Sequence, residues 1–200
     1  MNKKLYTLLA LIFSLCFAVT FSACGDDDDD DSATQKWKTY NETLVDKVRQ
    51  KSNEVLETGY EYRKIASYSG NGNIYWKSSD NIKSGIATKI TPEGTPQFAD
   101  SVVCRYTGWY LDYDGNKVTF DSTEGDYNKQ AGVGFRLSGV IDGWATMLQY
   151  MRVGEEVEVC VPYALGYGSS GSGTTIPAYT TLWFNMKLLK IIPVNPGEFD

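Results

Sequence analysis

The chain has 200 residues, 42% of them hydrophobic and 14% aromatic, with a formal net charge of −6, four cysteines and no histidine. Such a composition supplies a sizeable core and excludes a disordered chain. The missing histidine excludes Ser-His-Asp and Cys-His arrangements, His-ligated metals and histidine acid–base catalysis, and the acidic balance argues against a nucleic-acid partner.

Residues 1–23 read as a lipoprotein signal peptide. Lys3 and Lys4 open it, an apolar run follows over residues 5–19, and Phe21-Ser22-Ala23 places small residues before Cys24. This ending resembles the bacterial processing site at which the cysteine is acylated, although Phe21 stands where an aliphatic residue is usual. The alternative is an uncleaved anchor, for which the apolar run is marginal in length. Residues 24–35 form an acidic tether whose six aspartates, residues 26–31, account for the whole net charge. Self-repulsion predicts an extended, solvated segment. It is either a plain spacer or, by resemblance, the surface-export signal of some Gram-negative lipoproteins.

Residues 36–58 carry helical periodicity: Trp37, Tyr40, Leu44, Val48 and Val55 fall on one face, with charged residues between them. Thr34 is the predicted N-cap and Gly59 the stop. The helix either lies on the domain's own surface or serves as a dimerisation arm; one helix of this length is short for the latter.

From residue 59 strands dominate. Residues 60–65 alternate loosely, Ser69-Gly70-Asn71-Gly72-Asn73 is a turn, and Ile74-Tyr75-Trp76 a second strand. Residues 102–113 are β-rich and Asp114-Gly115 signals a hairpin. A short helix is predicted over residues 144–150. Val157, Val159 and Val161 alternate with Glu158 and Cys160, and a last strand spans residues 182–192. The class is α+β with an antiparallel sheet. Cys104 shares parity with Val102 and Tyr106 and faces the core, whereas Cys160 opposes the valines and faces outward. Side chains on opposite faces cannot bond, so no disulfide is predicted.

Six ordered blocks over residues 95–193 resemble the FKBP-type peptidyl-prolyl cis-trans isomerases. They are Val102-Val103-Cys104-Arg105-Tyr106-Thr107-Gly108, Phe120-Asp121-Ser122-Thr123, Phe135-Arg136-Leu137 with Val140-Ile141-Asp142-Gly143-Trp144, Met151 with Gly154-Glu155, residues 161–168, and Ile176-Pro177-Ala178 leading to Leu182 and Phe184. The resemblance implies a strongly bent antiparallel β-sheet wrapped around one short helix, occupying residues 59–193, with the N-terminal helix before it and a tail at 194–200. It implies an aromatic pocket with Trp144 as floor and Tyr106, Phe120, Val140, Ile141 and Phe184 as walls. Tyr167 would stand at the rim, Asp121 beside the reacting amide, and Val133 and Ile176 at the periphery. The Ile141 N–H and the Tyr167 hydroxyl would bind substrate carbonyls.

Four departures from the family stand out. Val133 falls where a pocket Phe is common, and Tyr127 replaces an Arg that commonly pairs with the pocket Asp, leaving Asp121 without it. Ser172 takes a position often held by His, and Ala178 replaces a second proline. Residues 168–173 are all Gly and Ser, the composition of a flexible segment.

The implied activity is rotation about Xaa-Pro bonds of exported proteins. Rotation breaks amide resonance against a barrier of about 18–20 kcal/mol and needs no nucleophile, metal or proton transfer. Neither metal nor cofactor is expected, which accords with a chain lacking histidine. In an unrelated β domain the same aromatics would be an ordinary packed core; a binding module or chaperone with this fold and little catalysis is the alternative function. Expected partners are proline-containing polypeptides and, through lipid on Cys24, a membrane, with no nucleic acid; the chain is a monomer, or a dimer through its N-terminal helix. The expected location is the envelope of a Gram-negative bacterium at the outer membrane, on the periplasmic face or the cell surface.

Overall fold

The computed structural model describes residues 27–53, 61–78, 94–126, 129 and 131–194. Among them are helices α1 (Asp27–Gln50) and α2 (Asp142–Leu148) and eight strands. The strands are β1 (Ser52–Asn53), β2 (Tyr62–Ala66), β3 (Asn73–Ser78), β4 (Ser101–Leu111), β5 (Lys117–Ser122), β6 (Val133–Arg136), β7 (Glu156–Val161) and β8 (Leu182–Ile192). Contacts divide the chain at Lys36 into two units. In the first, the described residues are the opening turns of α1. The unit from Trp37 onward contains every strand and the candidate site.

The sheet runs β1-β2-β3-β7-β8-β4-β5, with β6 beside β4. All pairings are antiparallel except the short β1–β2 pair. β4 is the spine: one edge pairs with β8 over residues 101–109, while the other is divided between β6 and β5. Its register shifts at Val103/Cys104 and again at Gly108/Trp109, irregularities of the kind that bend a strand.

Alternation along the strands builds two cores, one on each face. Val157, Val159 and Val161 of β7, with Leu182, Phe184, Met186 and Leu188 of β8, face α2 and its Trp144, Met147 and Leu148. Their neighbours Cys160 and Trp183 face the other way, toward Leu44 and Val48 of α1, Tyr62, Tyr75 and Trp109. Leu44 and Val48 are each nine-tenths buried, and burial of such a side chain contributes about 1.5–3 kcal/mol. Exposed pairs such as Lys51–Glu61 and Arg49–Asp46 contribute about 0–1 kcal/mol each. Apolar burial therefore decides where α1 lies, and its apolar face is occupied by its own sheet.

Three expectations need correction. The predicted helix over residues 36–58 starts earlier, at Asp27, so the tether over residues 24–35 is helical from that residue and Thr34 lies inside α1. Acidic residues at a helix N-terminus are favoured by its dipole, which offsets their mutual repulsion. The helix ends at Gln50, where Ser52 Oγ donates to Arg49 O and the Lys51 carbonyl accepts the Glu61 and Tyr62 N–H groups. Chain pairing, and not Gly59, stops it. Finally, Cys160 lies on the face opposite Cys104 as expected but is fully buried, because α1 covers that face. Both thiols are free, and burial raises both thiol pKa values, that of Cys104 to about 12. The signal segment, Cys24, Val55, Gly59 and Tyr127 lie outside the described residues. Among the described residues no helix is long and apolar enough to cross a membrane.

The seating of α2 depends on a glycine. A Cβ on Gly143 would stand 2.4 Å from Cγ1 and 2.7 Å from Cγ2 of Val161. Gly143→Ala is therefore expected to destabilise the domain by about 1–3 kcal/mol, read from urea unfolding; an unchanged midpoint would contradict this packing.

Candidate active site

Trp144, in the first turn of α2, is 5% exposed and forms the floor of a pocket of about 260 Å³. Three rings meet it edge-to-face: Tyr106 at 5.0 Å, Phe135 at 5.2 Å and Phe184 at 5.3 Å between centroids. Phe120 meets Phe184 in the same manner at 5.6 Å. These geometries suit the aromatic quadrupole and lock each ring by its neighbour. The Trp144 indole N–H is buried with no hydrogen-bond partner among the described residues, so the indole is held by packing.

The elements that deliver these rings are fixed by pairing. Tyr106 and Gly108 lie on the core-facing parity of β4, opposite Met186 and Phe184 of β8. Gly108 is needed there: an added Cβ would lie 2.7–2.8 Å from the rings of both Phe120 and Phe184. Val140 and Ile141 lead into α2, and the Ile141 carbonyl accepts the Trp144 and Ala145 N–H groups at 3.0 Å. Tyr167, 39% exposed, follows the helical turn Tyr163–Leu165 at the pocket rim.

One charged group lies in the wall. Asp121 Oδ2 accepts the Tyr106 hydroxyl at 2.5 Å, and Oδ1 accepts the Ser122 N–H at 2.9 Å and Lys129 Nζ at 3.2 Å. Burial disfavours its ionised form, but these donors and the Lys129 charge outweigh burial and hold its pKa below the usual 3.8. Tyr106 is pushed far above its usual value, first by burial and then by Asp121, so its hydroxyl remains a donor. Burial and then Asp121 also raise Tyr167.

The eight residues that the resemblance implied as pocket, Tyr106, Phe120, Asp121, Val140, Ile141, Trp144, Tyr167 and Phe184, line this one cavity. Val133 and Ile176 do not. Val133, on β6, pairs with Cys104 of β4, and Ile176 is 5% exposed in the main core. Phe135 takes the wall that Val133 leaves thin; strand parity puts it on the same face two residues on. Asp121 does not lack a cation, because Lys129 pairs with it. No pattern marked Lys129, since it reaches Asp121 from a loop eight residues away. The Gly/Ser segment is tied by a bridge between Ser172 and Ile176. A larger cleft of about 440 Å³ lies between Tyr68 and Tyr150, but its Thr146 and Gln149 are already bonded to Tyr68 N, Asp142 and the Ala145 carbonyl. It assembles no comparable aromatic floor.

Comparison with known proteins accords with this site. The family model described as FKBP-type peptidyl-prolyl cis-trans isomerase matches residues 93–189. The chain is 34% identical over 113 residues to FK506-binding protein 1 of Gibberella zeae, covering 54% of this chain and 98% of that one. It is 37% identical over 115 residues to the outer membrane protein MIP of Legionella longbeachae, covering 55% and 46%. The chain spans about half the length of the curated bacterial relatives it matches. The crystal structure of FkpA from Escherichia coli shares the fold, with a TM-score of 0.58 at 22% identity over 98% of this chain and 75% of that one.

A carboxylate with a lowered folded pKa stabilises the domain above its unfolded pKa, and that contribution is lost as pH falls through the folded value. Lys129→Met removes the cation while burial remains. Carbon-13 NMR is expected to show Asp121 titrating below 3.8 in the native chain and distinctly higher in K129M. Equal titrations would show that Lys129 does not act on Asp121.

Proposed function

This chain belongs to the FKBP-type peptidyl-prolyl cis-trans isomerase family, and from that premise we propose that it rotates Xaa-Pro bonds in exported polypeptides. The observation that carries the reading is the aromatic pocket floored by Trp144, with an ionised carboxylate fixed in its wall. A prolyl ring enters over Trp144, between Tyr106, Phe135 and Phe184. The planar amide carries more charge separation than the twisted one, so an apolar enclosure penalises the ground state more than the transition state. Each 1.4 kcal/mol of that difference is worth about tenfold in rate.

The Ile141 N–H and the Tyr167 hydroxyl donate hydrogen bonds to the substrate's flanking carbonyls and hold the turn that suits the twist. Asp121 supplies a fixed negative field beside the rotating C–N bond, with Tyr106 and Lys129 preventing its reorientation. No residue gives up a proton. The chain contains no histidine, so no side chain of ordinary pKa titrates between pH 5 and 8.

The chain is anchored by lipid on Cys24 after removal of residues 1–23, in the envelope of a Gram-negative bacterium at the outer membrane. The printed name of the Legionella relative supports that location. In sequence, residues 24–35 and the rest of α1 stand between the anchor and residues 59–193, the isomerase domain. Because the apolar face of α1 is occupied by its own sheet, the monomer is the favoured state.

A protease-coupled assay on an Xaa-Pro peptide tests the activity. We expect Phe120→Ala and Asp121→Val each to lower kcat/KM about tenfold, and the native profile to be flat from about pH 5 to 9. A native rate equal to buffer would sink the isomerase reading; suppression of client aggregation in that case would indicate the binding-module alternative. For the anchor, Cys24→Ala is expected to move the protein from the membrane to the soluble fraction. An unchanged distribution would refute acylation.

A further inference from the structure

The family match begins at residue 93, yet the rim of the pocket is held from outside it, by α1. Asn41 is fully buried, and its polar groups are satisfied across the domain. Its Oδ1 accepts the Thr181 N–H at 2.8 Å, its backbone carbonyl accepts the Thr181 hydroxyl, and its Nδ2 donates to the Trp37 carbonyl at 2.9 Å. One turn earlier, the Trp37 indole donates to Thr180 Oγ1 at 2.9 Å, and that hydroxyl donates to the Pro177 carbonyl. The Tyr163 hydroxyl donates to Glu42 at 3.2 Å.

These bonds converge on two segments that border the pocket. Thr181 immediately precedes β8, which carries Phe184 into the pocket three residues later. Tyr179 has φ = 58°, the one non-glycine residue with positive φ among those described, and such a conformation persists only where the surroundings impose it. From there its N–H reaches the Gly168 carbonyl at 2.9 Å, its ring meets Tyr163 at 5.3 Å, and Gly168 N in turn donates to the Tyr163 carbonyl. Gly168 adjoins Tyr167, the rim residue.

We infer that α1 is a positioning element for the pocket, in which Trp37 and Asn41, acting through Thr180, Thr181 and Tyr179, set the placement of Tyr167 and Phe184. Buried polar groups with complete hydrogen bonding specify one arrangement, whereas hydrophobic contacts alone tolerate sliding. The apolar stripe of α1 attaches the helix to the sheet, and its polar contacts register the rim. The effect on catalysis rests on the isomerase reading given above.

The test compares the full-length chain with Trp37→Phe, which keeps the ring and removes the indole donor, Asn41→Ala, and Val48→Ala. Val48 packs in the outer core at the far end of the same helix and reports general loosening. We expect W37F and N41A to accelerate amide hydrogen exchange at Gly168 and Tyr179, and to lower kcat/KM about tenfold. V48A should lower stability and leave both readouts at native values when measured well below its melting temperature. Should N41A not fold, W37F alone decides. Unchanged exchange, exchange that rises without loss of activity, or a V48A effect equal to that of W37F would overturn the inference. A native chain without isomerase activity overturns the proposed function instead, and the exchange comparison then still decides whether α1 holds the rim.

Discussion

The edge-to-face packing of three rings on Trp144 is the constraint on which the rest of this structure depends. The rings come from β4, β6 and β8, and the tryptophan from α2, so four elements must arrive in register for one contact set to exist. A one-residue slip of any strand would turn its ring to the opposite face. The same indole is both core and floor: its inner side packs among buried aliphatics while the cavity opens above it. Stability and ligand capacity therefore draw on one residue, and two glycines protect it. Gly143 lets α2 reach β7, and Gly108 lets Phe120 and Phe184 close the wall.

Charge enters this apolar site in one place and under restraint. Asp121 is surrounded by a hydroxyl, an amide and an ammonium, each donating to it. Its ionised form is favoured. Lys129 provides the cation from a loop position, where the resemblance predicted an Arg and found Tyr127. A Lys reaching a carboxylate as a point charge can come from a different position, because it does not need the planar bidentate geometry of Arg.

The outer face of the sheet would be a large apolar surface without α1. Tyr62, Tyr75, Trp109, Cys160 and Trp183 are buried there together with Leu44 and Val48. Covering that face closes the sheet on both sides and brings the polar edge of the helix to the segments beside the pocket.

Much of this was legible in the linear sequence. Period-two alternation in β7 and β8 and the turn residues pointed to the antiparallel sheet, because strand parity is local and survives in the order of residues. The eight residues of the pocket came from the family resemblance carried by the motifs around Tyr106, Phe120-Asp121 and Trp144. Other features depended on contacts between distant segments. The aspartate run reads as a tether because like charges repel, yet the backbone is helical from Asp27, where the helix dipole favours acids. Cys160 reads as outward because alternation assigns a face but not what covers it. Phe135 in place of Val133, Lys129 beside Asp121, and Asn41 bonded to Thr181 follow from side chains meeting across 8 to 140 residues or from a strand's exact placement. What the sequence determined by itself was the parity of each strand and the chemistry of each motif. What the tertiary structure decided was which neighbour satisfies each buried polar group, since a hydrogen bond's partner is set by position in space and not by distance along the chain.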